Sequence, residues 1–132
     1  MKTLKVNFLN NYVNWGQNAE QSVRYALTGI IEKADNLRYD LGADCLNYQI
    51  KSARATVCKG ADLRAYLEKD ASTAYIYATR EGIAYIMSRA EYIEFCETFG
   101  TLTRDSAKNG GAEKIRLKHE TPTMLDWLRA RA

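Results

Sequence analysis

At 132 residues the chain is long enough for one domain with its own core, burying roughly 65–70% of the unfolded surface, and too short for two. A composition of 46% hydrophobic and 27% charged residues excludes a disordered or fibrous chain, and no run approaches the roughly 18 apolar residues of a membrane span. Net charge is only +3, but glutamates gather over 81–97 and basic residues over 51–64 and 104–118, which permits one positive face.

The opening MKTLKVNFLNN has no apolar core or small-residue cleavage site, so no signal peptide is expected. Residues 4–14 fit two patterns. Leu4, Val6 and Phe8 alternate as in a strand, while Phe8, Leu9, Tyr12 and Val13 suit a short helix ending at Gly16; the helix is the favoured reading. Asn18, with Gln21 at the capping-box position, predicts a second helix whose stripe is Ala19, Val23, Ala26, Leu27 and Ile30. Glu20 sits at the stripe's edge, one turn from Arg24. It either forms an exposed pair with Arg24 or leans toward a site on the sheet beneath. Asp35-Asn36, Asp40 and Gly42 give residues 32–43 turn chemistry.

Residues 62–69 predict a short helix capped by Asp62. A hairpin follows, from Thr73–Thr79 through Arg80-Glu81-Gly82 to Ile83–Met87. Ser88 and Glu91 form a capping box for a helix ending at Gly100, with Glu91, Glu94 and Glu97 on its solvated face. Residues 103–112 read as a loop around Asn109-Gly110-Gly111. Glu113–His119 alternates as a strand, Ile115 and Leu117 inward and Lys114, Arg116 and Lys118 outward. Together with Arg104 and Lys108, that row is either a phosphate-contact surface or the charged protection of an edge strand. Thr121 and Pro122 open the last helix. Cys45, Cys58 and Cys96 are odd in number and unpaired in spacing. They read as small buried hydrophobes in a reducing cytoplasm, not as disulfides or a zinc site.

The most informative stretch is 42–60, GADCLNYQIKSARATVCKG. On a strand Gln49 and Lys51 point to one face and Ile50 to the other. A carboxylate, an acceptor and a lysine on one sheet surface are what metal-assisted phosphodiester cleavage needs: oxygen donors hold a hard cation, the cation activates water, and the lysine orients it or offsets phosphate charge. Asp44 is the preferred carboxylate because it leads into the β-prone Cys45-Leu46; Asp35 and Asp40 are its rivals. On a straight strand Asp44 and Gln49 would face opposite sides. Convergence therefore requires a bend, bulge or hairpin near Asn47-Tyr48.

Asp44 followed by Gln49-x-Lys51, after a helix containing Glu20, resembles the PD-(D/E)XK nuclease superfamily, also called restriction-endonuclease-like, with Gln in place of the usual Glu. The resemblance spans roughly residues 15 to 90. It implies an α+β (α/β) fold, a mixed sheet of about four to five strands flanked by helices, formed by all of residues 1–132. It further implies Mg²⁺ or Mn²⁺ held by Asp44, Gln49 and the backbone carbonyl of Ile50, with Glu20 as a further ligand and Lys51 positioning the attacking water. Arg54, just beyond on the same segment, would hold a phosphate.

The expected activity is a metal-dependent DNA endonuclease or a nuclease-like DNA-binding protein in the cytoplasm, a homodimer if it cuts both strands. The alternative is a catalytically inactive binder or inhibitor on the same fold, of phage or mobile-element type, acting on nucleic acid or a nucleoprotein complex.

Overall fold

The computed structural model describes residues 1–10, 12–28, 38–41, 44–72 and 74–132; of 28, 38–41, 44–47 and 109 it describes the backbone only. The expected Ile30, Asp35-Asn36 and Gly42 fall outside the described residues.

Strand periodicity wins over helical spacing at the start. Lys2–Lys5 forms β1, not a helix, and Val6 is buried beyond it, its N–H donating to Gly82 O at 2.8 Å. Helix α1 (Trp15–Thr28) starts earlier than expected, so Gly16 lies in its first turn and does not end a helix. The capping acceptor is Asn14, whose Oδ1 takes the Gln17 N–H at 2.8 Å. Asn18, expected as the cap, instead bonds both the N–H and the carbonyl of Tyr12, each at 2.9 Å, and fixes the loop into α1.

Next come β2 (Arg38–Leu41), β3 (Asp44–Lys51) and β4 (Thr56–Lys59), so Asp40 is in a strand and not in a turn. Helix α2 (Leu63–Glu68) has the expected cap, Asp62 Oδ1 accepting from Ala65 N at 3.1 Å. The hairpin of β5 (Ala74–Ala78) and β6 (Ile83–Met87) is as expected, turning through Gly82 at φ 85°. Helix α3 (Arg89–Phe99) carries the Ser88–Glu91 capping box.

Gly100 does not close α3 in a left-handed cap. Its φ is −84° and it opens β7 (Gly100–Arg104), which takes Thr103 and Arg104 out of the expected 103–112 loop. A 3-10 turn (Ala107–Asn109) leads to β8 (Glu113–Leu117), two residues shorter than expected, and α4 (Pro122–Arg131) follows the Thr121 cap.

A mixed sheet runs in the order β1-β6-β5-β3-β2, with β3 and β5 parallel and the other pairs antiparallel. A smaller antiparallel sheet has the order β4-β8-β7. The parallel pair requires a crossover, which β4 and α2 supply. Strand β5 shows why both faces are covered. Ile76 and Ala78 join Val6, Val23, Tyr48 and Ala84 under α1, while Tyr75 and Tyr77 face Tyr92 and Phe95 of α3. Tyr75 stacks on Tyr92 with centroids 4.3 Å apart. The result is an α+β fold with a mixed sheet between helices.

Candidate nucleic-acid interface

The alternation expected at 49–51 holds. Ile50 packs with the cluster under α1, while Gln49 and Lys51 line a crevice on the opposite face. That crevice is narrow, about 10 Å³, room for a single water. Lys51 Nζ donates to Thr56 O at 3.0 Å. Burial pushes the Lys51 ammonium below its usual range, while the charges of Glu20 and Asp70 pull the other way. Cys96, also near, is held as a neutral thiol: burial raises it to about 12. Asp70 is the carboxylate of this crevice, and sequence reasoning missed it. Its Oδ1 accepts from Ser72 N at 3.0 Å and Ser72 Oγ at 2.8 Å, and its Oδ2 from Tyr75 Oη at 3.3 Å. The signal was the Asp70-Ala71-Ser72 turn ahead of β5.

Asp44 is not brought to Gln49 and Lys51 by the described backbone. The register runs without a shift from 44 to 47 against β2 and from 48 to 51 against β5, and Asp44–Lys51 is one continuous strand. Five residues of strand separate Asp44 from Gln49 by about 17 Å. The side chains of Asp40 and Asp44, and all of Asp35, lie outside the described residues. Glu20 is on α1, across the sheet from the Lys51 crevice. It bonds Arg24 at 2.5 Å, and the Arg24 side chain is only 3% exposed, so the pair is not the exposed one considered from sequence.

The implied metal does not fit the described donors. No three Asp, Glu, His or Cys side chains come together among the described residues. Glu20 is engaged with Arg24, and both Asp70 oxygens accept protein hydrogen bonds.

The expected basic row is divided by its own partners. Lys114 pairs with Asp105 at 2.8 Å, and Arg104 pairs with Glu113. Lys108 and Lys118 are exposed. Arg54 and Arg116 do come together. With Arg80, which sequence reasoning placed only in a turn, they line a cleft of about 370 Å³ whose floor includes Trp15, Gly16 and Ser52. Three features build it. The turn after β3 holds Arg54 at φ 65°, a left-handed conformation that a non-glycine residue adopts at a cost of order 1 kcal/mol. That turn aims the Arg54 carbonyl at Arg116 Nε, 3.1 Å away. The Arg80 guanidinium lies over the Trp15 ring, 4.6 Å from its centroid, and Phe8 meets that ring edge-on at 4.6 Å.

No acidic side chain among the described residues lines the cleft. None of its three guanidiniums forms an ion pair among the described residues, whereas Arg24, Arg64, Arg104, Arg129 and Arg131 all do. Glu120, the carboxylate near Arg80, accepts from Arg80 N and Tyr77 Oη, each at 3.0 Å.

Cys58 and Cys96 are buried free thiols, as expected; the Cys45 side chain lies outside the described residues. No helix among the described residues is long and apolar enough to cross a membrane. No family model, curated protein or solved structure matches the chain.

Proposed function

We propose that this chain is a nuclease-like nucleic-acid-binding protein that grips the phosphate backbone of DNA in the Arg54–Arg80–Arg116 cleft. The observation that supports this reading best is one cleft lined by three arginines and, among the described residues, by no carboxylate. Like charges drawn together repel, and an anion that sits between them removes the cost. Arginine's planar fork suits phosphate oxygens better than lysine's point charge. The Gln49–Lys51 strand runs directly into Ser52-Ala53-Arg54, so a bound strand would pass close to Lys51.

Electrophoretic retardation of short DNA tests this. With three phosphate contacts, affinity should fall roughly 20- to 40-fold between 50 and 200 mM salt. Arg116→Ala should weaken binding and flatten that slope. Salt-independent binding, or an unaltered Arg116→Ala protein, would overturn the reading.

Hydrolysis is the second reading, favoured by the half-buried Lys51 amine beside Gln49 in its own crevice, on the strand that leads into Arg54. Its ammonium form would offset charge on a phosphate. The Mg²⁺ or Mn²⁺ that the sequence resemblance implies would need carboxylates from outside the described residues. Plasmid cleavage with Mg²⁺ or Mn²⁺, comparing wild type with Lys51→Ala and Asp44→Ala, decides it. Cleavage lost in both variants supports catalysis; retardation without cleavage leaves a pure binder.

A further inference from the structure

We infer that the cleft formed by Trp15, Arg54, Arg80 and Arg116 receives the terminal phosphate of a nucleic-acid strand, a phosphomonoester, in preference to an internal phosphodiester. The inference rests on the nucleic-acid reading above and narrows it to strand ends.

Charge is the first ground. A phosphodiester carries one negative charge; a terminal phosphate carries between one and a half and two at neutral pH, because its second ionisation lies near pH 6. Three arginines with no ion-pair partner among the described residues match the more highly charged group. The first turn of α1 adds to this: Trp15 and Gly16 line the cleft at the helix's positive end.

Shape is the second. A surface that tracks a backbone needs a stripe of free cations. Here two of the neighbouring cations on β7 and β8 are engaged, Arg104 with Glu113 and Lys114 with Asp105. What remains is a concave focus of about 370 Å³. The polar complement is the third. Trp15, whose ring lies under Arg80 at the cleft, keeps a buried Nε1 with no hydrogen-bond partner among the described residues.

Preorganisation is the fourth. Arg80 is held over Trp15, and the Arg54 turn is held in a strained conformation whose carbonyl orients Arg116. Strain retained at a turn where glycine would be free of it points to a role for the side chain.

The test is fluorescence anisotropy at 50 mM salt with one 20-nucleotide DNA strand in four forms: 5′-phosphorylated, 3′-phosphorylated, hydroxyl at both ends, and circularised. One phosphorylated form should bind at least about tenfold more tightly than the hydroxyl-ended and circular strands, and the two phosphorylated arms identify which end is read. The preference should shrink, by up to about fourfold, as pH falls from 7.5 to 5.5, because most of the phosphate takes up its second proton while the arginines do not titrate. Arg80→Ala should abolish the preference. So should Arg54→Gly, whose fold is protected because glycine accepts that φ; thermal unfolding verifies this. Lys59→Ala, exposed and outside the cleft, should retain it. Equal affinity for all four strands overturns the end preference and leaves DNA binding standing. No binding to any strand overturns both.

Discussion

At the residue scale, Lys51 and Arg54 stand three positions apart and carry opposite kinds of cost. Lys51 is penalised by desolvation, and its folded value falls below the ordinary 10.5. Between the lowered folded value and 10.5 the unfolded chain holds more protons, so stability rises with pH across that window. Replacing Lys51 with Met should remove the rise. Urea unfolding of wild type and Lys51→Met at increasing pH up to about 10 should show the wild type gaining on the variant as pH approaches 10.5. Buried Tyr77 and Tyr92 act in the opposite sense, but only above pH 10, where unfolded tyrosines ionise. The cost at Arg54 is conformational, and glycine would relieve it; thermal unfolding of Arg54→Gly should therefore show a midpoint no lower than wild type.

At the element scale, α3 shows what chemistry near a helix end is worth. Ser88 Oγ accepts from Glu91 N at 3.2 Å, and Glu91 Oε1 accepts from Ser88 N at 2.9 Å. The latter bond lowers the Glu91 carboxyl below 4.5, so its stabilisation is full above that value and is lost as pH falls through the folded one. Ser88→Ala should cost about 1 kcal/mol in urea unfolding. At the other end, a Cβ on Gly100 would strike the Cys96 carbonyl and lie 2.8 Å from Ile115 Cγ2. Gly100→Ala should destabilise the protein by about 2 kcal/mol or more, read in the same assay.

The sequence made these two caps and the β5–β6 hairpin legible because each is a local pattern. Gly100 was legible as a boundary, but not for its reason: Ile115 comes from a strand that only tertiary packing brings near. Residues 4–14 misled because both periodicities were present, and Gly82 of the distant hairpin decided between them by pairing with Val6. For the site, the 49–51 alternation could be read directly. Arg80 could not, since nothing near it in sequence announces that Trp15, sixty-five positions earlier, will lie beneath it.

At the scale of the whole molecule, the mixed sheet separates two chemistries. One face is closed by α1. The other carries the aromatic core beneath α2, α3, α4 and the smaller sheet. Tyr92 is central to that core, buried against Tyr75, and Tyr92→Ala should cost about 3–5 kcal/mol by urea unfolding. The arginine cleft lies where the segment after β3, the β5–β6 turn, β8 and the start of α1 meet. Four separate stretches of chain must be placed before three guanidiniums can converge, so loosening of the core should reach the binding surface as well. The passage from Phe99 into Gly100 adds a mechanical corollary. With no linker between helix and strand, α3 and the β7–β8 ribbon behave as one lever, and a protease should find no hinge there. A nick at the exposed Lys108, in the turn between the two strands, would leave both pieces clasped through the β7–β8 ladder until denaturant separates them.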